Sequence, residues 1–268
     1  MRTLTVHHLA ALAAALTLAA CAGDEEPTYV ERPPEELYID AHDAIEGGRY
    51  NAAADLFDEV ERQHPYSQWA TRAQLMAAYA HYQQLDYDEA VIALDRFIQL
   101  HPGHQDVDYA YYLTALSYYE RISDVKRDQE MTLLALDALD EVLRRFPQSE
   151  YARDAQLKRD LTLDQLAGKE MSIGRWYLSQ GHYNAAINRF RAVVETYQTT
   201  THVPEALHRL TEAYLALGLA EEAQQNAAVL GHNYPGSEWY QDSYGLLAEG
   251  SSNQQQRSFF SRAWNSVF

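Results

Sequence analysis

Cysteine is the most nucleophilic side chain available to this 268-residue protein, and the sequence contains only one, Cys21. A single cysteine cannot form a disulfide within its own chain, and a catalytic thiol would need a general base that the fold holds beside it. The sequence contains no glycine-rich phosphate loop, no nucleophile elbow and no His-Glu-x-x-His zinc motif. The role of Cys21 must therefore be inferred from the residues around it.

Residues 1–20 have the pattern of a signal peptide: Arg2 precedes an Ala- and Leu-rich run at 9–20, which is too short to span a membrane and ends in small residues. The four residues Leu18-Ala19-Ala20-Cys21 resemble a bacterial lipobox. That resemblance implies cleavage before Cys21 and lipidation of its sulfur, so Cys21 is the predicted anchor. An ordinary signal peptide with an incidental cysteine is the alternative.

The composition is strongly acidic, with 39 Asp and Glu against 21 Lys and Arg. Loss of residues 1–20 removes only Arg2 from this balance and leaves a formal charge of −19. Such a chain repels phosphate backbones, and no basic stripe is present, which argues against a nucleic-acid partner. No apolar stretch after residue 20 approaches the ~20 residues of a membrane-spanning helix.

A sequence motif of 18 residues recurs along the chain. The segments 48–65, 85–102 and 181–198 align without gaps, 218–235 follows the same frame, and a fifth copy keeps the spacing from Ala135 to Pro147. In most copies a glycine at the first position ends one helix. An alanine then allows close helix packing, and a proline usually stops the second helix. This frame resembles the tetratricopeptide repeat and predicts an all-α, right-handed α-solenoid of about five helix hairpins.

Three details extend this prediction. The segment 120–131 adds about eight residues to repeat three and is expected to be a surface loop. More helix lies between Pro147 and Gly181 than one hairpin needs, which predicts a long or bent helix with Gly168 or Gly174 as its joint. The serines two residues after the stopping prolines are predicted helix caps; they are Ser67, Ser149 and Ser237.

The first helix of each hairpin should line a concave wall. Its free face carries the second, fifth, ninth and twelfth positions of units that begin near residues 34, 71 and 108. These positions hold Glu35, Tyr38, His42 and Ile45 in repeat one, Arg72, Leu75, Tyr79 and Tyr82 in repeat two, and Tyr109, Tyr112, Leu116 and Tyr119 in repeat three. Tyrosines offer large contact area at low entropic cost, so this wall is a predicted peptide groove. Alternatively, several of these tyrosines fill space between repeats.

Metal or cofactor chemistry finds little support in the sequence. His101 and His104 lie close together but flank a Pro-Gly turn without a third ligand nearby in sequence. Acidic pairs such as Glu221 and Glu222 are most simply solvated helix faces. We therefore expect a binding protein without a catalytic site, metal or cofactor.

Particular stretches resemble the BamD family, the lipoproteins of the outer-membrane β-barrel assembly machinery. The strongest is DRFIQLHPGHQDVDYAYYLTAL at 95–116; FPQSEYARDA at 146–155, GHYNAAINR at 181–189 and EALHRLTEAY at 205–214 fit the same pattern. The resemblance implies a non-enzymatic subunit whose amino-terminal repeats receive the carboxy termini of unfolded outer-membrane proteins. It also implies that the carboxy-terminal repeats dock on a POTRA domain of BamA and on other lipoproteins of the complex, with the family's Asn-Arg pair falling on Asn188 and Arg189.

The expected organisation follows from these patterns. It comprises a signal peptide at 1–20, an acylated Cys and acidic Pro-rich tether at 21–34, repeats one to three with the peptide groove at 35–147, a long helix and repeats four and five for partner docking at 148–249, and a polar linker with an amphipathic aromatic tail at 250–268. The expected location is the periplasmic face of the outer membrane, held there by the lipid anchor. The alternative function is a periplasmic repeat lipoprotein that scaffolds peptidoglycan or other envelope machinery.

Overall fold

The computed structural model describes residues 31–248, and these residues form helices and turns without a strand. Ten helices run in order: α1 Pro34–Glu46, α2 Tyr50–Gln63, α3 Gln68–Gln83, α4 Tyr87–Leu100, α5 Val107–Tyr119, α6 Glu130–Arg145, α7 Ala152–Ser179, α8 Tyr183–Thr196, α9 Val203–Ala216 and α10 Ala220–Asn233. A further helical segment occupies 238–248. None of the helices in this part of the chain is long and apolar enough to cross a membrane. The predicted signal peptide, Cys21, the first part of the tether and the tail at 250–268 lie outside the described residues.

The helices form a linear array of five hairpins, which confirms the predicted all-α repeat architecture. Each helix packs mainly against the helices before and after it in the chain. Successive first helices also touch, as α1 with α3, α3 with α5, α5 with α7 and α7 with α9, whereas no such contact joins two second helices among α2, α4, α6, α8 and α10. The first helices therefore form one continuous layer of the array.

Each second helix buries the side chains at the same three positions of the recurring motif. The first is alanine in all five hairpins, and the other two, four and seven residues later, are apolar and in most hairpins large. The triads are Ala53, Phe57 and Val60; Ala90, Leu94 and Phe97; Ala135, Leu139 and Val142; Ala186, Phe190 and Val193; and Ala223, Ala227 and Leu230. This spacing places all three side chains on one helical face, which packs against the first helix of the hairpin.

The first helices contribute small residues to the same interface. Ala41, Ala78 and Ala115 are fully buried, and Gly174 occupies the corresponding position of α7. A Cβ atom on Gly174 would lie 2.5 Å from the ring of Phe190. The sequence predicts a joint at Gly168 or Gly174, but α7 runs without interruption through both. The reason for Gly174 is close packing rather than a break in the helix.

Helix α7 has 28 residues and belongs to two repeats. Its first part adds Ala155 to the core of repeat three, and its second part adds Ala167 and Met171 to the core of repeats four and five. The long helix that the sequence predicts is therefore confirmed, because one helix both closes the third hairpin and opens the fourth.

The predicted loop in repeat three connects α5 to α6 and lies along the middle of α7. The side chain of Gln165 donates a hydrogen bond of 2.7 Å to the carbonyl of Ser123. The ammonium of Lys169 donates to the carbonyls of Lys126 and Arg127, each at 3.0 Å. These bonds give the loop a defined position on α7.

The predicted capping serines act at three turns, though not identically. Ser67 is the N-cap of α3, where its hydroxyl accepts a hydrogen bond from the backbone N–H of Ala70 at 3.1 Å. Ser237 accepts from the N–H of Trp239 at 3.2 Å. Ser149 lies outside the N-cap position of α7 and instead holds the turn before the helix, where it also donates to Asp108 at 2.6 Å.

A left-handed residue ends the first helix in four of the five hairpins. Gly48, Gly181 and Gly218 have φ values of 68°, 74° and 77°, and Leu85 takes the same place in repeat two with φ 68°. The hydrogen-bonded turn is retained there, since the backbone N–H of Asp86 donates to the backbone carbonyl of His81 at 3.0 Å. A leucine side chain in this conformation costs roughly 1–2 kcal/mol.

We predict that Leu85→Gly stabilises the protein by about 0.5–1 kcal/mol, because the relief of backbone strain exceeds the entropy that glycine adds to the unfolded chain. The side chain of Leu85 is 69% exposed, so little packing is lost. Urea unfolding followed by circular dichroism measures the shift. Leu217→Gly is the matched control at φ −83° and should lower the midpoint; a lower midpoint for Leu85→Gly would contradict the prediction.

Candidate binding surfaces

Five tyrosines of the predicted groove lie on two adjacent first helices and are all partly exposed. This tyrosine wall consists of Tyr79 and Tyr82 on α3 and Tyr109, Tyr112 and Tyr119 on α5. Burial raises the pKa of Tyr109 well above its usual value, and the neighbouring phenols of Tyr79 and Tyr82 add to the shift. The two helices therefore bring Tyr79, Tyr82 and Tyr109 together over one core, while Tyr112 and Tyr119 pack over the next core along the array.

One end of the tyrosine wall is held by the start of α7. The ring of Tyr112 stacks on that of Tyr151, with centroids 4.9 Å apart and an interplanar angle of 15°. The hydroxyl of Tyr112 donates a hydrogen bond to Asp154. Burial and this carboxylate raise the pKa of Tyr112. Sequence reasoning missed Tyr151 and Asp154 because they lie at the N-cap and in the first turn of the long helix, outside the positions that the repeat frame assigns to the groove.

The other end of the wall is a corner formed by Tyr82 and Tyr87. Their ring centroids are 5.6 Å apart and the planes meet at 63°, in an edge-to-face arrangement. Burial raises the pKa of Tyr82 to about 12, with further contributions from Glu120, Tyr87 and Tyr79. The carboxylate of Glu120 is therefore close enough to this corner to act on the phenol of Tyr82.

Two arginines, Arg72 and Arg121, are candidate partners for the carboxylate of a bound peptide. Arg121 is engaged already, because its Nη1 forms a 2.6 Å ion pair with Asp88. Arg72 is exposed, and its guanidinium carbon lies 5.8 Å from the centroid of the Trp69 ring. Among the described residues Arg72 forms no salt bridge, so Arg72 is the better placed of the two to meet an anionic group.

Repeat one contributes less surface than the frame predicts. The ring of Tyr38 packs against Phe57 at 5.3 Å and Trp69 at 4.9 Å, and Ile45 packs against the same core. Glu35 and His42 are exposed. Tyr38 and Ile45 thus support the first hairpin while exposing only part of their side chains.

The assignment of Leu75 to the groove needs correction. Its side chain is only 7% exposed and lies in the core with Leu94, Phe97 and Leu113. Helix α3 is packed on one side by α4 and on another by α5, and both helices cover Leu75. This residue supports the tyrosine wall from behind and offers little surface to a ligand.

A second surface, the Arg189 cleft, lies between α7 and α8 and has a volume of about 340 Å³. It is lined by Glu170, Tyr177, Ala185, Asn188, Arg189, Ala192, Thr196 and Tyr197. Both residues of the predicted Asn-Arg pair are among these. The sequence frame did not identify Glu170, Tyr177 or Tyr197, although Tyr197 is the next-to-last residue of the recurring motif in repeat four.

One ion pair sets the electrostatics of the Arg189 cleft. Nη1 of Arg189 donates to both carboxylate oxygens of Glu170, at 3.1 and 3.4 Å. Its Nε and Nη2 atoms form no hydrogen bond with any residue between 31 and 248. Burial and the nearby Glu170 raise the pKa of Tyr197. The cleft therefore presents an arginine that is held through one nitrogen and has further donors available.

The histidines considered as metal ligands have other contacts. His101 forms a 2.9 Å hydrogen bond with Gln74, and the N–H of Asp106 donates to His104 at 3.2 Å. Both imidazoles pack against Phe97, at 5.3 and 5.4 Å. Within the described part of the chain, His42, Asp43 and Glu46 could bring ligand atoms within 4.8 Å of one another, but all three are exposed.

Comparison of the sequence with known proteins identifies one family. The family model YfiO, described as outer membrane lipoprotein, matches residues 30–230. The outer membrane protein assembly factor BamD of Caulobacter vibrioides is 55% identical over 242 residues, covering 89% of this chain and 79% of that protein. The protein of the same name from Rickettsia prowazekii is 45% identical over 238 residues, covering 89% of this chain and 95% of its own length. The chain thus belongs to the BamD family of outer membrane protein assembly factors.

Proposed function

We propose that this protein is a non-enzymatic, lipid-anchored subunit of the machinery that assembles outer-membrane proteins. In this proposal it receives extended client termini on the tyrosine wall and docks on a POTRA domain of BamA through the Arg189 cleft. The observation that supports it most is that the residues expected for the two roles lie on two separate surfaces, one in repeats two and three and the other in repeat four. Membership of the BamD family favours this reading over a scaffold for peptidoglycan machinery.

The tyrosine wall has the properties that an extended peptide requires. Its rings come from adjacent helices and are partly exposed, so aromatic side chains of a client can pack against several of them at once. Burial raises the pKa of Tyr109, so its hydroxyl can donate a hydrogen bond to a backbone carbonyl, whereas the hydroxyl of Tyr112 already donates to Asp154. Arg72, at the edge of this face, is the candidate for a terminal carboxylate.

The Arg189 cleft suits a partner that presents a carboxylate. Arginine binds carboxylates through paired N–H donors, and Nε and Nη2 of Arg189 point to such a two-point contact. Glu170 holds the side chain from the other edge, which reduces the entropy lost when a partner binds. Asn188 is exposed beside Arg189 and extends the same surface. Smaller lipoproteins of the complex are the further expected partners of these carboxy-terminal repeats.

The anchoring part of the proposal depends on the sequence alone. Acylation of Cys21 would attach the chain to the outer membrane, and the acidic segment 22–34 would separate the repeats from the lipid surface. Each buried acyl methylene contributes about 0.8 kcal/mol, so several chains form a durable anchor. The repeats would then face the periplasm, where unfolded clients and the POTRA domains of BamA are accessible.

The groove is tested by replacing Tyr79 and Tyr112 with alanine together. Each aromatic contact contributes about 0.5–1.5 kcal/mol beyond burial, so affinity for a fluorescein-labelled ten-residue peptide ending in Phe should fall roughly tenfold or more. Fluorescence anisotropy gives the affinity, and circular dichroism checks the fold. Tyr111→Ala is the control, because that ring packs against Phe146 and Arg145 instead. Equal peptide affinity for wild type and a well-folded double variant would exclude the wall as the binding site.

Docking is tested by Arg189→Gln, which removes the charge without placing a second carboxylate beside Glu170. If the partner's carboxylate is desolvated on binding, the loss should be about 2–5 kcal/mol in affinity for the purified POTRA region of BamA. Isothermal titration calorimetry measures it. Arg191→Gln is matched in helix and chemistry, but Arg191 pairs with Glu195 outside the cleft and should have little effect. If both variants bind as the wild type does, the contact lies elsewhere.

Lipidation is tested by Cys21→Ala, which removes the sulfur that would carry the lipid. The variant should incorporate no radiolabelled palmitate and should be lost from the outer-membrane fraction. Cell fractionation and labelling of both forms provide the measurement. Continued incorporation of palmitate by the variant would exclude Cys21 as the lipid attachment site.

A further inference from the structure

The chain itself illustrates how the tyrosine wall accommodates a cation. The ammonium of Lys158 lies 5.5 Å from the centroid of the Tyr119 ring and 2.8 Å from a carboxylate oxygen of Asp154. An aromatic face and a carboxylate together stabilise an ammonium or guanidinium group, because both present negative potential to it. Lys158 thus occupies one such position at the end of α5.

A second position of the same kind lies one repeat earlier. Tyr82 has the twelfth place in the unit of repeat two, as Tyr119 has in repeat three. The edge-to-face contact of Tyr82 with Tyr87 leaves a corner between the two rings. No arginine or lysine of the described residues lies over either of these rings, unlike the ring of Tyr119.

The carboxylate of Glu120 lies near this corner. Glu120 directly follows Tyr119, the last residue of α5. Its neighbour Arg121 forms a 2.6 Å ion pair with Asp88, which directly follows Tyr87. This ion pair holds the end of α5 close to Tyr87. Glu120 is exposed, and its carboxylate forms no ion pair or hydrogen bond with the rest of segment 31–248. The nearby Arg121 is already neutralised by Asp88. The corner therefore combines two aromatic rings with a carboxylate that has no cationic partner in this part of the chain.

We propose that Tyr82, Tyr87 and Glu120 form a subsite for a cationic side chain, an arginine or lysine, of a client segment that lies along the tyrosine wall. The inference rests on the proposed peptide-binding function and specifies which clients the wall selects. It follows that a basic residue in the client is favoured and an acidic residue at the same place is repelled. Burial is the main cause of the raised pKa of Tyr82, and Glu120 adds to the shift because its carboxylate lies near the ring.

The test compares arginine with citrulline, which has nearly the same shape but no charge. A labelled ten-residue peptide ending in Phe carries one arginine, moved in turn through the interior positions, and each peptide is paired with its citrulline counterpart. Fluorescence anisotropy at low salt should show the arginine peptide binding roughly fivefold more tightly at one position or two adjacent ones. The preference should shrink as salt is added, because exposed charges are screened. Equal affinities at every position would overturn the subsite.

Protein variants assign the preference to the corner. Glu120→Gln keeps the size of the side chain and should reduce the ratio of the two affinities to near one, whereas Glu221→Gln makes the same change of net charge on α10 and should leave the ratio intact. Tyr82→Phe should retain the ratio and Tyr82→Leu should lose it, since the ring face and not the hydroxyl holds the cation. An unchanged ratio in Glu120→Gln would contradict the assignment.

Failure of the subsite can be told apart from failure of the groove. If the paired peptides bind equally but Tyr79→Ala with Tyr112→Ala abolishes binding, the wall binds peptides and the subsite is wrong. If no peptide binds, the groove proposal fails, and acetyl-arginine amide then tests the corner directly by NMR. Ring-proton shifts of Tyr82 and Tyr87 with this probe, absent with acetyl-citrulline amide and in Glu120→Gln, would support the subsite; no shifts would overturn it.

Discussion

The close approach of two helices within each hairpin is the constraint on which the rest of the structure depends. It requires an alanine at the first position of every buried triad and a small residue on the facing helix, and at Gly174 even a methyl group would collide with Phe190. Little room remains in the hairpin cores for tyrosine. Rings such as Tyr79 and Tyr109 therefore lie at the margin between core and solvent and are partly exposed.

The sequence was sufficient for features that depend on local chemistry. Helix ends, the five hairpins and the loop after α5 follow from glycine, proline and apolar spacing, which act within one or two turns. It was insufficient where helices distant in sequence meet. The stacking of Tyr112 on Tyr151 and the pairing of Arg189 with Glu170 depend on the path of α7, which no periodicity specifies. Leu75 was misassigned because one stripe of α3 is covered by two neighbouring helices.

The two candidate surfaces differ in how their charges are balanced. At the tyrosine wall, Arg121 and Lys158 are neutralised by Asp88 and Asp154, while Glu120 has no cationic partner in the described chain. In the Arg189 cleft the guanidinium is paired through only one nitrogen. The two surfaces of this strongly acidic protein thus differ in how completely their charged side chains are paired.

The length of α7 also sets the scale on which the two surfaces are separated. Asp154 at the wall and Glu170 at the cleft are sixteen residues apart on one uninterrupted helix, a spacing of about 24 Å. An extended strand covers this distance with about seven residues. A bound segment shorter than this cannot contact both places, whereas a ten-residue segment is long enough to extend from the wall to the cleft.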